Sequence, residues 1–102
     1  MSHRIRFTPK ALSHLDEIEI YIEAAASPGV AARYVDAIVD FCERLADFPQ
    51  RGAARDDVRP GLRLVGFRHR VTIAFAVTPE AVNILGVYYG GRDFEPDLEV
   101  EE

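Results

Sequence analysis

Two kinds of hydrophobic pattern divide the chain into six predicted elements. Residues 4–7 alternate charged and apolar side chains, which is typical of a short strand. Apolar residues then recur at helical spacing over 9–26 and 28–48, and each stretch opens on a proline that follows Thr8 or Ser27, which is typical of a helix start. Three further strands are predicted at 62–67, 70–77 and 82–89.

This order of strand, helix, helix, strand, strand, strand predicts an α+β fold. The connection between the helices is short, so we expect an antiparallel helix hairpin that covers one face of a three-stranded antiparallel meander. A chain of 102 residues has the size of one domain, residues 1–102. Its end, from about residue 94, is acidic, and we expect it to be partly flexible.

The two turns of the meander set which side chains share a face. With the second turn at 78–81, Ile73 lies opposite Gly86. With Phe67 opposite Arg70 across the first turn, most apolar side chains of the meander share one face, which is the predicted core side. A slip of one residue in either hairpin would move side chains to the other face.

The opposite face is predicted to be the outer one. It carries Arg63, Val65, Phe67, Arg70, Thr72, Ala74, Leu85, Val87 and Tyr89. A sheet face exposed to water is normally more polar than this, so we expect the outer face to bind a partner. Gly66 and Gly86 fall on the core face, where glycine would let a helix approach closely.

Charge is distributed unevenly along a chain whose net charge is −5. Residues 51–70 hold six arginines against two aspartates, whereas residues 11–48 hold two arginines against eight acids. The overall field excludes a general nucleic-acid binder but leaves a local basic patch. Its loop arginines include Arg55 and Arg59, which are candidates to bind a partner.

Other residue types narrow the chemistry further. The single Cys42 excludes a disulfide framework and indicates a reducing, cytoplasmic location. The three histidines lie far apart and lack metal-ligand spacing, so we expect no metal and no cofactor. No apolar run approaches the roughly 20 residues of a membrane span, so no membrane partner is expected.

Four segments carry a resemblance to a known family: RIRFTPKALSHLDEIEIYI, FPQRGAARDDVRPGLR, RVTIAFAV and VNILGVYYGGRD. With them the chain resembles the ParE branch of the RelE/ParE toxins of bacterial type II toxin–antitoxin systems. The resemblance covers nearly the whole chain, and the family's order of elements is the one predicted above. It implies a small toxin that is neutralised by a cognate antitoxin wrapped around it.

The resemblance leaves two kinds of target open. RelE-like members cut mRNA on the ribosome, whereas ParE-like members poison DNA gyrase and are not nucleases. For the nuclease alternative, the resemblance points to Arg63, Arg70, Tyr88 and Tyr89 as catalytic residues. Arginine stays protonated and tyrosine has a pKa of about 10, so neither is a ready base at neutral pH, and no catalytic residue is expected.

We therefore predict a ParE-like toxin that is not an enzyme and that inhibits DNA gyrase when free. A ribosome-dependent mRNA endonuclease and an inactive antitoxin-binding protein are the alternatives. The expected partners are gyrase and a ParD-like antitoxin, for which a ribbon-helix-helix protein is one option, with operator DNA reached only through the antitoxin. The predicted antitoxin contacts are Arg63, Val65, Phe67, Arg70, Leu85, Val87 and Ile20, and the predicted target contacts are Arg55, Arg59, Tyr89 and Arg92.

Overall fold

The computed structural model describes residues 3–90, which form two helices packed on one face of a five-stranded sheet. The α+β prediction is confirmed. The elements are β1 Arg4–Phe7, α1 Pro9–Ala25, α2 Pro28–Arg44, β2 Ala53–Ala54, β3 Leu62–Phe67, β4 Val71–Val77 and β5 Ala81–Tyr89. The sequence gives no sign of β2, because two alanines in a loop carry no strand pattern of their own.

Both helices start where the sequence predicts. The Thr8 side chain accepts a hydrogen bond from the backbone N–H of Ala11 (3.1 Å), and Ser27 accepts one from Val30 (3.2 Å). Thr8 also donates through its backbone N–H and its hydroxyl to the Ile84 carbonyl, which fixes the start of α1 against β5. The second helix ends at Arg44, short of the predicted end near residue 48.

The order of strands in the sheet is β1-β5-β4-β3-β2. β1 pairs in parallel with β5, and the other neighbouring strands pair antiparallel. Because β1 stops at Phe7, it covers β5 only as far as Ile84. Beyond Ile84, α1 lies alongside β5. There, Nδ1 of His14 on α1 accepts a hydrogen bond from the backbone N–H of Val87 in β5.

A β-bulge changes the register of β5 halfway along the strand. Phe75 pairs with Ile84, as predicted. The extra residue, Leu85, then shifts the pairing, so that Ile73 lies opposite Val87 instead of Gly86. The predicted facing of β5 is therefore right up to Leu85 and wrong beyond it.

The β3–β4 turn changes the register in the same way. Phe67 pairs with Val71 rather than with Arg70, because the turn contains three residues, Arg68 to Arg70, rather than two. Every side chain of β3 consequently points to the face opposite to the predicted one. The face prediction is right for β4 and wrong for all of β3.

The helix-covered face of the sheet is thus built from a different set of residues. Its buried members are Val71, Ile73, Phe75, Val82, Ile84 and Val87, with Val65, Phe67 and Tyr89 packed against them. From the helices, this core receives Ala11, Leu15, Ile18, Ile22, Ala31, Ile38, Cys42 and Leu45. The distal face, turned away from the helices, holds a smaller cluster of Leu62, Ala74 and Tyr88 with Val58, Leu64 and Leu85.

The two strand glycines do not serve the predicted purpose. Gly66 is exposed and pairs with Thr72. Gly86 faces Tyr88 on the distal face, where an added Cβ would lie 2.5 Å from the phenol oxygen of that tyrosine. Gly86 is required to make room for the Tyr88 ring, not for a helix.

The β3–β4 turn contains backbone conformations that L-residues rarely adopt. Arg68 and His69 have φ values of 51° and 62°. The left-handed region costs a non-glycine residue about 1–2 kcal/mol, whereas glycine loses about 0.5–1 kcal/mol of chain entropy on folding. We expect His69→Gly to raise the free energy of unfolding by about 0.5–1 kcal/mol in urea titration. A decrease would show that the His69 side chain makes a stabilising contact that outweighs the strain.

Candidate functional site

The open end of the helix-covered face, next to the β3–β4 turn, carries a cluster of aromatic rings. Tyr89 at the end of β5 lies between Tyr21 of α1 (centroids 5.5 Å apart) and Tyr34 of α2 (6.0 Å). Tyr34 also meets Phe67 edge-on at 6.3 Å. Both helices and two strands therefore contribute to one aromatic surface.

Two arginines border these rings. The Arg68 guanidinium carbon lies 5.0 Å from the centroid of Phe67 and 5.9 Å from that of Tyr34, within the range of cation–π contact. Arg70 lines a groove of about 380 Å³ beside Tyr89. We call this set the aromatic–arginine surface; its members are Tyr21, Tyr34, Phe67, Arg68, Arg70 and Tyr89.

The groove beside Arg70 has mixed walls. Ile18 and Tyr21 of α1 line the groove together with Tyr89 and Arg70, and the carboxylate residue Glu17 lines it as well. The backbone N–H of Gly90 donates to the Arg70 carbonyl (2.7 Å), which joins the end of β5 to the turn. The groove can take an apolar side chain with a neighbouring negative charge.

Tyr34 has the unusual polar group in this surface. Its hydroxyl is buried and makes no hydrogen bond within residues 3–90. Burial raises the pKa of Tyr34, and the nearby Tyr89 raises it further, while Arg68 and Arg70 act in the opposite direction. The hydroxyl therefore stays protonated at neutral pH and can donate a hydrogen bond.

Arg63 has a structural role. Its Nε donates to the Arg51 carbonyl (2.9 Å) and its Nη2 to the carbonyls of Gln50 (2.7 Å) and Gly52 (3.2 Å). The guanidinium thereby holds the loop that follows α2. Arg63 lies opposite Phe75 on the helix-covered side, so its predicted place on the outer face is wrong.

Tyr88 is also removed from solvent. It is 1% exposed, and its ring packs 4.8 Å from that of His14 on α1. It points to the distal face, whereas Tyr89 points to the helix-covered face. These two tyrosines cannot both act on one substrate from these positions.

The four residues of the nuclease alternative are therefore not brought together. Arg63 and Arg70 lie at opposite ends of the β3–β4 hairpin, and the four residue steps from Arg63 to Phe67 alone span about 13 Å of extended strand. Of the four, the structure places Arg70 and Tyr89 in one groove. Arg70 and Tyr89 are close to each other, although the residue opposite Tyr89 in the β4–β5 pairing is Val71, the neighbour of Arg70.

The predicted antitoxin contacts are divided between exposed and buried positions. Val87 is fully buried in the core, and Val65 and Phe67 are half-buried on the helix-covered face, so their predicted place on an open outer face is wrong. The third residue in the β3–β4 turn explains the positions of Val65 and Phe67, and the β-bulge at Leu85 explains that of Val87. Leu85 does lie on the distal face, half-buried, and Ile20 is 69% exposed on α1.

The predicted target contacts lie in two places. Arg55 forms a two-bonded ion pair with Asp57 (2.9 and 3.0 Å), and this bonding lowers the pKa of the aspartate. Arg59 is half-buried in the same loop, distant in sequence from Tyr89 in the groove. Arg92 lies outside the described residues, as does the predicted acidic tail.

The sequence does not single out three contributors to this site: Tyr21, Tyr34 and Arg68. Their positions in the two predicted helices suggest that Tyr21 and Tyr34 are core residues with their hydroxyls at the edge. Tyr34 does pack against the core, but Tyr21 is 59% exposed, so the prediction for Tyr21 is wrong. The signal for Arg68 was the turn itself, which lacks the glycine or asparagine that left-handed positions favour.

Cys42 is a core residue rather than a reactive thiol. It is fully buried in α2, and burial raises its pKa to about 12. Because the thiolate is the reactive form, we expect the native protein to resist alkylation by iodoacetamide at pH 8 and to react once unfolded in urea. Mass spectrometry measures the modified fraction, and rapid labelling of the native chain would contradict the buried position.

Two further properties of residues 3–90 bear on function. No group of three or more histidine, cysteine, aspartate or glutamate side chains is arranged to hold a metal ion in that range. Within the same residues, neither helix is long and apolar enough to cross a bilayer.

Comparisons with known proteins relate this fold to one family. The model of the family described as "ParE toxin of type II toxin-antitoxin system, parDE" matches residues 5–94. No curated protein sequence matches the chain.

Two solved structures share the fold. A chain of the chromosomal ParDE TA system from P. aeruginosa is 24% identical, with a TM-score of 0.76 over 87% of this chain and 97% of that one. A chain of the toxin–antitoxin complex RelBE2 from Mycobacterium tuberculosis is 19% identical, with a TM-score of 0.63 over 87% and 99%.

Proposed function

Because the chain belongs to the ParE toxin family of type II toxin–antitoxin systems, we propose that its free form inhibits DNA gyrase and that a cognate antitoxin neutralises it. The antitoxin is proposed to resemble ParD, with a ribbon-helix-helix protein as one option. Operator DNA is then reached only through the antitoxin.

The observation that carries this proposal is the separation of the residues that a ribonuclease would need. Arg63 is bonded to three loop carbonyls and Tyr88 is 1% exposed, which leaves Arg70 and Tyr89. Cutting RNA needs a base for the 2′-hydroxyl and an acid for the leaving oxygen, and arginine and tyrosine are residue types whose ordinary pKa values are too high for the role of that base. A gyrase inhibitor needs only a surface that fits its target.

The proposed target surface centres on the groove of Arg70 and Tyr89. Arg59 is retained as a proposed contact, and so is Arg92. Arg55 is a weaker contact, because its guanidinium is already bonded to Asp57 and would have to leave it.

For the antitoxin, the proposed contacts are those with solvent access. They are Leu85 on the distal face, Ile20 on α1, and Phe67 and Arg70 beside the turn. Leu12 on α1 and Val30 on α2 are further apolar side chains exposed on the helices. An amphipathic segment that crosses these positions would bury apolar area and meet Arg70 with a charge of its own.

A ribosome-dependent mRNA endonuclease is the second candidate, because the fold is shared with a RelBE2 chain. Expression of the chain in bacteria without an antitoxin separates the two. We expect a DNA-damage reporter to rise first and incorporation of labelled methionine to fall only later. An immediate stop of translation with no reporter signal would favour the endonuclease, and growth without any defect would favour an inactive antitoxin-binding protein.

A further inference from the structure

The β3–β4 turn presents three consecutive basic side chains. Arg68, His69 and Arg70 are all exposed. Within residues 3–90, the first two are the non-glycine residues with positive φ. Strain kept in an exposed turn, where glycine or asparagine would fit at less cost, points to a role for the side chains themselves.

The two arginines of this turn are available to a ligand. Among the described residues, neither guanidinium forms an ion pair or a hydrogen bond, whereas the guanidinium groups of Arg55 and Arg63 are both hydrogen-bonded. Arg68 is nevertheless held in place, since it stacks over the rings of Phe67 and Tyr34. Stacking leaves the N–H groups at the edge of the guanidinium plane free to donate to an oxyanion.

Two further features beside the turn favour a ligand that is only partly charged. The groove next to Arg70 has apolar walls in Ile18, Tyr21 and Tyr89. Close by, the buried Tyr34 hydroxyl has a donor that no group of residues 3–90 accepts. An apolar side chain fits the groove, and the guanidinium of Arg70 beside it can donate to a carboxylate.

We propose that the aromatic–arginine surface binds a segment of a protein partner in which apolar residues alternate closely with carboxylates. The apolar side chain enters the groove between Tyr21 and Tyr89, and the carboxylates bond to Arg68 and Arg70. On the proposed function, the segment belongs to the antitoxin, which would then cover the same groove that is proposed to meet the target.

A peptide fits this surface better than a nucleic acid does. Glu17 lines the groove, and the neighbouring faces of α1 carry the exposed acids Asp16 and Glu23. A duplex carries a negative charge about every 1.7 Å along its axis, so its phosphates would meet these acids as well as the arginines. A peptide with two or three carboxylates can place each of them at the turn.

A titration of the full, isotope-labelled chain tests this site by NMR. The probe is the peptide Ac-LEDLE-NH2, and the uncharged peptide Ac-LQNLQ-NH2 is its control. A short DNA duplex is titrated separately to represent a nucleic-acid ligand. We expect the acidic peptide to shift the amide signals of residues 68–70 and 89, and to bind at least about tenfold tighter than the neutral peptide at low salt. Replacing Arg68 and Arg70 together by glutamine should weaken binding by about tenfold or more, while Arg4→Gln, an exposed arginine on β1, should not.

Three outcomes would overturn the site: no shifts at the turn, equal binding of the two peptides, or tighter binding of the duplex at the same residues. The titration needs neither gyrase nor an antitoxin. If the chain is toxic but does not bind the peptide, the proposed site is wrong and the proposed function stands. If the chain binds the peptide but inhibits neither gyrase nor translation, the proposed site stands and the proposed function is wrong.

Discussion

Val87→Asp is expected to abolish folding of the chain. The Val87 side chain is 0% exposed and lies in the core between the sheet and the helices. An unpaired carboxylate there would cost several kcal/mol, which is comparable with the whole stability of a small domain, about 5–15 kcal/mol. Circular dichroism should therefore show no cooperative thermal transition for this variant.

Ile20→Asp is the matched control for that substitution. Ile20 is 69% exposed on α1, so the same change should alter the free energy of unfolding by no more than about 1 kcal/mol. The small remaining loss would come from repulsion by Asp16 and Glu23 on the same helix. A folded Val87→Asp variant with near-normal stability would show that β5 has the register without the bulge, with Val87 on an open face.

His14→Leu should have the second-largest effect, a loss of about 2–3 kcal/mol. His14 is 5% exposed, and its Nδ1 accepts a hydrogen bond of 3.0 Å from the backbone N–H of Val87. That N–H lies beyond the end of β1, where no strand can pair with it. Leucine would leave the donor buried without an acceptor, and it would lose the ring contact with Tyr88.

His14→Asn separates the hydrogen bond from the packing. The asparagine Oδ1 occupies nearly the place of Nδ1, so the bond to Val87 can persist while the ring contact is lost. We expect the Val87 amide to remain protected from hydrogen exchange in the asparagine variant and to lose protection in the leucine variant. Equal protection in both variants would assign the stabilisation to packing instead.

Local signals in the sequence are sufficient to predict where both helices start. Thr8-Pro9 and Ser27-Pro28 specify helix starts through bonds that span only three residues, so the sequence states them directly. The end of α2 is less defined, because apolar residues continue to Phe48 after the helix has stopped at Arg44.

Which side chains share a face of the sheet depends on two single extra residues, and the pattern of hydrophobic positions does not reveal either of them. A third residue in the β3–β4 turn and the extra Leu85 in β5 each shift the pairing by one. Since side chains alternate with period two, each shift moves a whole set to the other face. Both faces of β3 and of the second half of β5 are largely apolar, so hydrophobicity alone does not choose between the registers.

The candidate site is only partly readable from the sequence for a related reason. Arg70 and Tyr89 are near each other because Arg70 directly precedes β4, which pairs with β5 as the meander predicts. Tyr21 and Tyr34 come from two helices, and their approach depends on how the hairpin is rotated on the sheet. No local pattern fixes that rotation, so the aromatic–arginine surface emerges only from the tertiary structure.

Inhibition of gyrase by the purified chain, compared with cleavage of mRNA on ribosomes, distinguishes the proposed function from the endonuclease alternative. The chain is added separately to gyrase with relaxed plasmid and to ribosomes translating a defined mRNA. For a gyrase inhibitor, we expect loss of supercoiling with accumulation of cleaved plasmid, and an intact mRNA. Site-specific cuts in the mRNA with supercoiling unchanged would contradict the proposed function and would make Arg70 and Tyr89 catalytic candidates.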